Sequence, residues 1–177
     1  FKDPNLKERA DYLRNFGIGD TDYVMEPGTN GKLNEVQAAV GILLLGEVEK
    51  EIERRKEITG LYRRLLENVP GITAGKDIAG VAHNYPYFVI RVDKEEYGLS
   101  RDELYEKLKE YNIMSKKYFY PLCSNFQCYR DLPSASKQRL PVANKIAGAV
   151  LSLPLHGRML DSDVEKICGI IKAIHEG

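Results

Sequence analysis

The chain has 177 residues, 43% hydrophobic and 29% charged, a size and balance that suit one globular domain plus part of another and exclude two complete enzyme domains or a disordered tail. Its 26 Lys plus Arg against 26 Asp plus Glu leave no net charge, which argues against nucleic-acid or anionic-membrane partners and leaves room only for local basic pockets. The longest apolar run, residues 38–46, falls short of the ~20 residues a membrane helix needs, and 3 cysteines suit a reducing, cytoplasmic compartment better than a disulfide framework.

The chain opens at Phe1 without Met and shows neither a signal peptide nor a transit peptide, so it reads as a piece of a longer protein. Asp3-Pro4 before Leu6, Ala10 and Leu13 predicts a short helix, with Asp3 as N-cap and Pro4 at the first helical position, where a missing N–H costs nothing. Gly17 and Gly19 end it, and residues 17–33 read as an irregular loop. Asn34 with Gln37 three places on resembles a capping box, and Leu33, Val36, Val40, Leu43 and Leu44 recur at helical spacing, so a long helix begins there. From Val36 to Leu45 that helix is almost uncharged and must be buried nearly all round; from Glu47 onward it is charged and amphipathic. The switch places a domain boundary along it, with Gly46 or Gly60 as kinks and Pro70-Gly71 as the stop.

Beyond residue 70 the pattern alternates. His83 to Val92 is rich in aromatic and β-branched residues and predicts a strand, with Pro86 arguing for an edge or a bulge. Ser100 with Glu103 predicts a capping box that opens a helix through Leu104, Leu108 and Tyr111, and Ile113 to Phe119 predicts a further strand. Residues 121–136 read as loop, Pro141 to Val150 as helix and Leu151 to Leu155 as a short strand. Ser162 with Glu165 predicts the cap of a last helix through Ile174. Alternating helices and strands describe a small α+β sandwich.

Two constellations carry chemistry. Gly28-Thr29-Asn30-Gly31-Lys32 stands before a helix N-terminus, where glycines let backbone N–H groups approach a phosphate and Asn30 and Lys32 add donors; the same Asn-Gly pair also makes a plain turn. Lys116-Lys117-Tyr118-Phe119-Tyr120 puts two ammonium groups and two phenols beside a loop, suited to a phosphorylated or hydroxyl-rich ligand or else to a strand end with solvated lysines. Cys123 and Cys128 lack a second ligand pair, so no metal site follows from their spacing, and His156 reads as a structural histidine. No triad or carboxylate pair emerges.

Residues 28–41, GTNGKLNEVQAAVG, resemble the G-x-N-x-[RK]-[ML]-x-E-x-Q-A-A-x-G signature of the DegT/DnrJ/EryC1/StrS family of pyridoxal-phosphate-dependent sugar aminotransferases. Residues 12–17 are similar to the family's L-R-x-x-G segment and residues 83–91 to its H-x-Y-x-x-F-x-I-R strand, while residues 118–122 and 151–156 match later blocks in order. The resemblance covers essentially the whole chain but only the back part of the family's length. It implies an α/β fold, the C-terminal part of a fold-type I transferase: residues 1–45 as the tail of the large cofactor-binding domain, 46–70 as a long connecting helix, and 71–177 as a small α+β domain whose sheet is covered by helices.

The same resemblance implies that the catalytic lysine lies upstream, so that no catalytic residue is in this chain and the fragment alone is inactive. It implies pyridoxal 5'-phosphate as cofactor in the full-length protein, held in part by Asn30, which reaches the partner's cofactor across a homodimer, and by Lys32. His83, Lys117 and Tyr120 fall on the substrate side, whereas Cys123 stands where many members have His. The implied reaction transfers an amino group, from glutamate as the usual donor, to a nucleotide-linked keto-sugar. A dehydratase of the same family and a non-catalytic scaffold module are the alternatives.

Overall fold

The computed structural model describes residues 2–20 and 23–177, which divide into two compact units, Phe1–Val48 and Glu49–Gly177. In the first unit, helix α1 spans Pro4–Leu13, and Asp3 caps it by accepting from the Asn5 N–H at 2.9 Å. The expected loop of residues 17–33 contains a small antiparallel pair, β1 (Ile18–Asp20) and β2 (Tyr23–Val24), too short for any alternation to announce it. Helix α2 spans Glu35–Leu45, capped by Asn34, whose Oδ1 accepts from the Gln37 N–H at 2.8 Å.

The long helix of the sequence reading is two helices. A turn at Gly46 and Glu47 separates α2 from α3 (Val48–Leu66), and glycine, the weakest helix former after proline, marks the break. The expectation that Val36 to Leu45 is buried does not hold in this chain: Val36, Ile42, Leu43, Leu44 and Leu45 are 61–75% exposed.

The second unit holds the core. Its sheet, ordered β3-β4-β6-β5, is antiparallel throughout, built from β3 (Ile72–Ala74), β4 (Phe88–Val92), β5 (Lys116–Lys117) and β6 (Val150–Leu153). Along β4, Phe88, Ile90 and Val92 are buried while Arg91 between them is exposed, the period-2 signature of a strand with one face in the core. All four residues of β6 are buried, so both its faces are covered. Helix α3 brings Ile58, Leu61, Tyr62 and Leu66 to this core, α5 (Arg101–Glu110) brings Leu104 and Leu108, and α7 (Asp161–Glu176) brings Val164, Ile167, Cys168 and Ile171. Tyr62 stacks on Phe88 with ring centroids 4.6 Å apart, and its hydroxyl donates to the Pro154 carbonyl at 3.0 Å. Burial pushes the Cys168 thiol up to about 12, so this cysteine is a core side chain and no nucleophile.

Several expected elements shift. The strand expected over His83 to Val92 begins only at Phe88, because Tyr85 has φ +46° and Pro86 has no N–H to give a ladder. The strand expected over Ile113 to Phe119 is reduced to Lys116 and Lys117, which pair with Ser152 and Leu151, while the side chains that follow are taken up by contacts outside the sheet. β3 and the single-turn helix α4 (Lys94–Tyr97) were not expected, since three or four residues carry no period. Helix α6 (Pro141–Ala149) falls where expected, and residues 121–136 hold two 3-10 turns, Cys123–Asn125 and Pro133–Ala135. Finally, α7 starts one residue before Ser162. Its reciprocal contact is Asp163, whose Oδ2 accepts from the Leu160 N–H at 3.2 Å, and Ser162 sits exposed in the first turn.

Candidate functional site

In the first unit the Gly28–Lys32 loop is strapped to the end of α1. The Thr29 N–H donates to the Leu13 carbonyl at 2.9 Å, the Phe16 N–H to Thr29 at 3.0 Å and the Gly31 N–H to Arg14 at 2.8 Å, while Asn15 and Asn30 form a β-bridge. Glycine is required where the strap closes. A Cβ on Gly28 would lie 2.1 Å from the Gly17 nitrogen and 2.5 Å from the Leu13 oxygen, and Gly17 has φ +81°. Upstream of the loop, Arg9 grips Glu26 with two hydrogen bonds of 2.8 and 2.9 Å.

The strap leaves Asn30 exposed and places Lys32 Nζ 5.6 Å from the centre of the Phe16 ring. Lys32 lines a cavity of about 490 Å³ with Asp11, Arg14, Asn15 and Leu33. Its single carboxylate is neutralised: Asp11 lies 2.6 Å from Lys7 and 3.2 Å from Arg14, and the Lys7 hydrogen bond foremost holds its carboxyl below the usual range. What remains is a set of amide, ammonium and guanidinium donors ahead of the α2 N-terminus, chemistry suited to an anion.

The second unit carries a separate cleft. His83, Arg63, Lys76, Asp77, Tyr87 and Tyr118 are among the residues lining a cavity of about 400 Å³. Arg63 donates to the Asp77 carboxylate at 2.7 Å and to the Gly75 carbonyl at 2.9 Å, and the Tyr85 hydroxyl donates to Asp77 at 2.8 Å. Arg63 first and Tyr85 second hold the Asp77 carboxyl down at about 2, so it stays ionised well into acid. His83 stands with its ring 5.6 Å from Tyr85 and its Nε2 buried without a hydrogen-bond partner.

Lys117 and Tyr120 come together on another part of this unit, with Lys117 Nζ 5.7 Å from the Tyr120 ring centre. An aromatic chain joins them to the His83 cavity, since Tyr87 in its wall packs edge-on against Tyr118 at 5.0 Å and Phe119 at 6.0 Å. Lys117 also forms a 2.5 Å ion pair with Asp102, and this hydrogen bond foremost keeps the Asp102 carboxyl below the usual range. Under Tyr120 lies Arg101, its guanidinium carbon 5.0 Å from the ring centre and the residue 2% exposed. Cys123 and Cys128 are exposed, and among the described residues no three His, Cys, Asp or Glu side chains gather as a metal site.

The family model of the DegT/DnrJ/EryC1/StrS aminotransferases matches residues 1–172. The chain belongs to this family. A dTDP-4-amino-4,6-dideoxy-D-glucose transaminase of Escherichia coli is 46% identical over 96% of this chain and 45% of its own length, and a Shigella dysenteriae transaminase of the same description is 35% identical over the same shares. Among solved structures, DesI in the presence of its TDP-sugar product is 29% identical with a TM-score of 0.85, covering 98% of this chain and 43% of that one. DesV of S. venezuelae is 26% identical with a TM-score of 0.88, covering 99% and 45%. The chain thus spans less than half the length of the curated relatives it matches.

The cofactor of this aminotransferase family is pyridoxal 5'-phosphate, and the Gly28–Lys32 loop fits its phosphate: exposed Asn30 and Lys32 are donors, Arg14 and Asn15 border the cavity that Lys32 lines, and the one carboxylate there is occupied by cations. The sequence reading missed Arg101, Asp102 and the Arg63–Asp77–Tyr85 link. One signal for Arg101 was legible, for a cation at the first position of a helix opposes the local dipole and needs a reason to be there. No local signal pointed to Asp77, whose partners Arg63 and Tyr85 lie 14 and 8 positions away on a helix and a loop.

Proposed function

We propose that this chain is the C-terminal part of a pyridoxal-phosphate-dependent aminotransferase that transfers an amino group from glutamate to a nucleotide-linked keto-sugar, working as a cytoplasmic homodimer. The observation that carries the reading is the strapped Gly28–Lys32 loop, a rigid donor loop in a chain 46% identical to a dTDP-amino-sugar transaminase. Residues 1–45 complete the large domain, 46–70 connect, and 71–177 form the small domain. The catalytic lysine lies on the part of the protein that precedes this chain, and the fragment alone is inactive.

In this reading Asn30 and Lys32 donate to the phosphate of the partner subunit's cofactor, anchoring it without a covalent bond. The bound cofactor supplies an electron sink for the pair released when a Cα–H bond breaks. His83, Lys117 and Tyr120 hold the sugar nucleotide, the ammonium matching a phosphate and the phenol and imidazole matching hydroxyl groups. Lys117 comes to that task through Asp102, which holds its ammonium in place.

The test uses the full-length protein. Pyridoxal phosphate is added, borohydride is used to fix it, and the labelled peptide is mapped by mass spectrometry; dTDP-4-amino-4,6-dideoxy-D-glucose with 2-oxoglutarate is then assayed for amino transfer. A labelled lysine upstream of this chain together with glutamate formation is the expected result. Bound cofactor with no labelled lysine and no transfer would replace the aminotransferase with a dehydratase.

A further inference from the structure

We propose that Arg101 is a positioning residue that holds the Tyr120 ring on the substrate side of the small domain, with Asp102 and Lys117 completing the clamp. The proposal rests on the reading above that Tyr120 meets the sugar nucleotide. Arg101 stands at the first position of α5, the end of a helix that disfavours a cation, and it is 2% exposed. A buried guanidinium is costly unless its surroundings compensate it, so a purely structural site would be better served by an apolar side chain.

The compensation points outward, to Tyr120. Nη1 of Arg101 donates to the Val150 carbonyl at 3.0 Å, which ties the group to strand β6. Nε lies 3.0 Å from Asp102 Oδ1 but is too poorly aligned to count as a hydrogen bond, so the contact is Coulombic. The guanidinium face is left for the Tyr120 ring, whose centre is 5.0 Å from Cζ. Asp102 Oδ1 also receives Lys117, and Lys117 Nζ sits 5.0 Å from the Tyr105 ring and 5.7 Å from that of Tyr120.

The side chains from Lys117 to Tyr120 are therefore all in contact with other elements: Lys117 with Asp102, Tyr118 and Phe119 with Tyr87, and Tyr120 with Arg101. Tyr120 is half in solvent, at 54% exposure, with its ring already held against a buried cation. A phenol fixed before binding meets a ligand without first losing rotamer freedom, which is how a buried cation several ångströms from the ligand raises affinity.

The test uses the full-length holoenzyme, with two readouts. 3-Fluorotyrosine at position 120 gives a fluorine resonance that Arg101→Met is expected to collapse toward its random-coil position. Arg101→Lys should restore it in part, and Asp102→Asn, which keeps the buried guanidinium, should shift it less. Steady-state kinetics with dTDP-4-amino-4,6-dideoxy-D-glucose should show Tyr120→Ala and Arg101→Met each raising KM about tenfold with kcat within about twofold, and the double variant no worse than Tyr120→Ala. Should Arg101→Met fail to fold, Arg101→Lys and Asp102→Asn carry the same comparison. An unmoved fluorine signal, or additive effects on KM, overturns the clamp while leaving Tyr120 at the substrate. If Tyr120→Ala leaves KM unchanged, both the clamp's purpose and the placement of Tyr120 fall. If the wild type does not turn over this sugar, the reading of the substrate fails and the fluorine signal alone decides the clamp.

Discussion

Gly28 shows how a single missing Cβ builds the strapped loop of residues 28–32. Two backbone segments approach so closely there that any side chain would meet the Gly17 nitrogen or the Leu13 oxygen. Gly28→Ala should therefore open the strap between residues 13–17 and 28–31, with a loss of about 2–4 kcal/mol in chemical denaturation of the full-length protein. Because the strap carries Asn30, pyridoxal phosphate affinity should fall by more than about tenfold while affinity for pyridoxal, which lacks the phosphate, stays the same. The Gly28–Lys32 turn was legible from local pattern because a Gly-flanked amide before a helix start is a backbone requirement written in adjacent residues, while the phosphate role proposed for Asn30 and Lys32 comes from the family resemblance. Arg101 was not, since its meaning lies in Tyr120 and Val150, brought to it only by packing.

At the scale of elements, two look-alike motifs separate. Ser100 with Glu103 forms a true capping box: the Ser100 hydroxyl accepts from the Glu103 N–H at 3.2 Å, and the Glu103 carboxylate accepts from the Ser100 N–H at 2.7 Å. Ser162 with Glu165 has the same spacing, but Ser162 is the second residue of α7, past the N-cap position held by Leu160. Ser100→Ala should destabilise the protein by about 1 kcal/mol and Ser162→Ala by less than about 0.5 kcal/mol, compared by urea denaturation. The chain prefers Leu160 as the boundary because Met159, Val164 and Ile167 are all buried, and their register fixes where the helix enters the core. Helices were the more legible elements for that reason of period, while β3, β5 and the β1–β2 pair are too short to show any.

For the whole molecule, the governing feature is α2, apolar on every side and without a buried residue. Six large aliphatic side chains from Val36 to Leu45 face solvent, a surface that polypeptides seldom leave open. The 177-residue chain produced alone should self-associate in sedimentation velocity at micromolar concentration, and Leu43→Glu with Leu45→Glu should shift it toward the monomer. A monodisperse wild-type chain would refute this. The second unit, by contrast, closes its own core around Tyr62, Phe88, Ile90, Leu104, Leu151 and Ile171.

The sequence by itself determined the caps of α1, α2 and α5, the helical faces that enter the core, the turn at residues 28–32 and the family, because each is encoded by neighbours a few positions apart. Tertiary structure alone decided the sheet order β3-β4-β6-β5 and the company kept by Lys117, Tyr120 and Asp77. Those outcomes depend on contacts between residues of different elements, whose energies no local window contains.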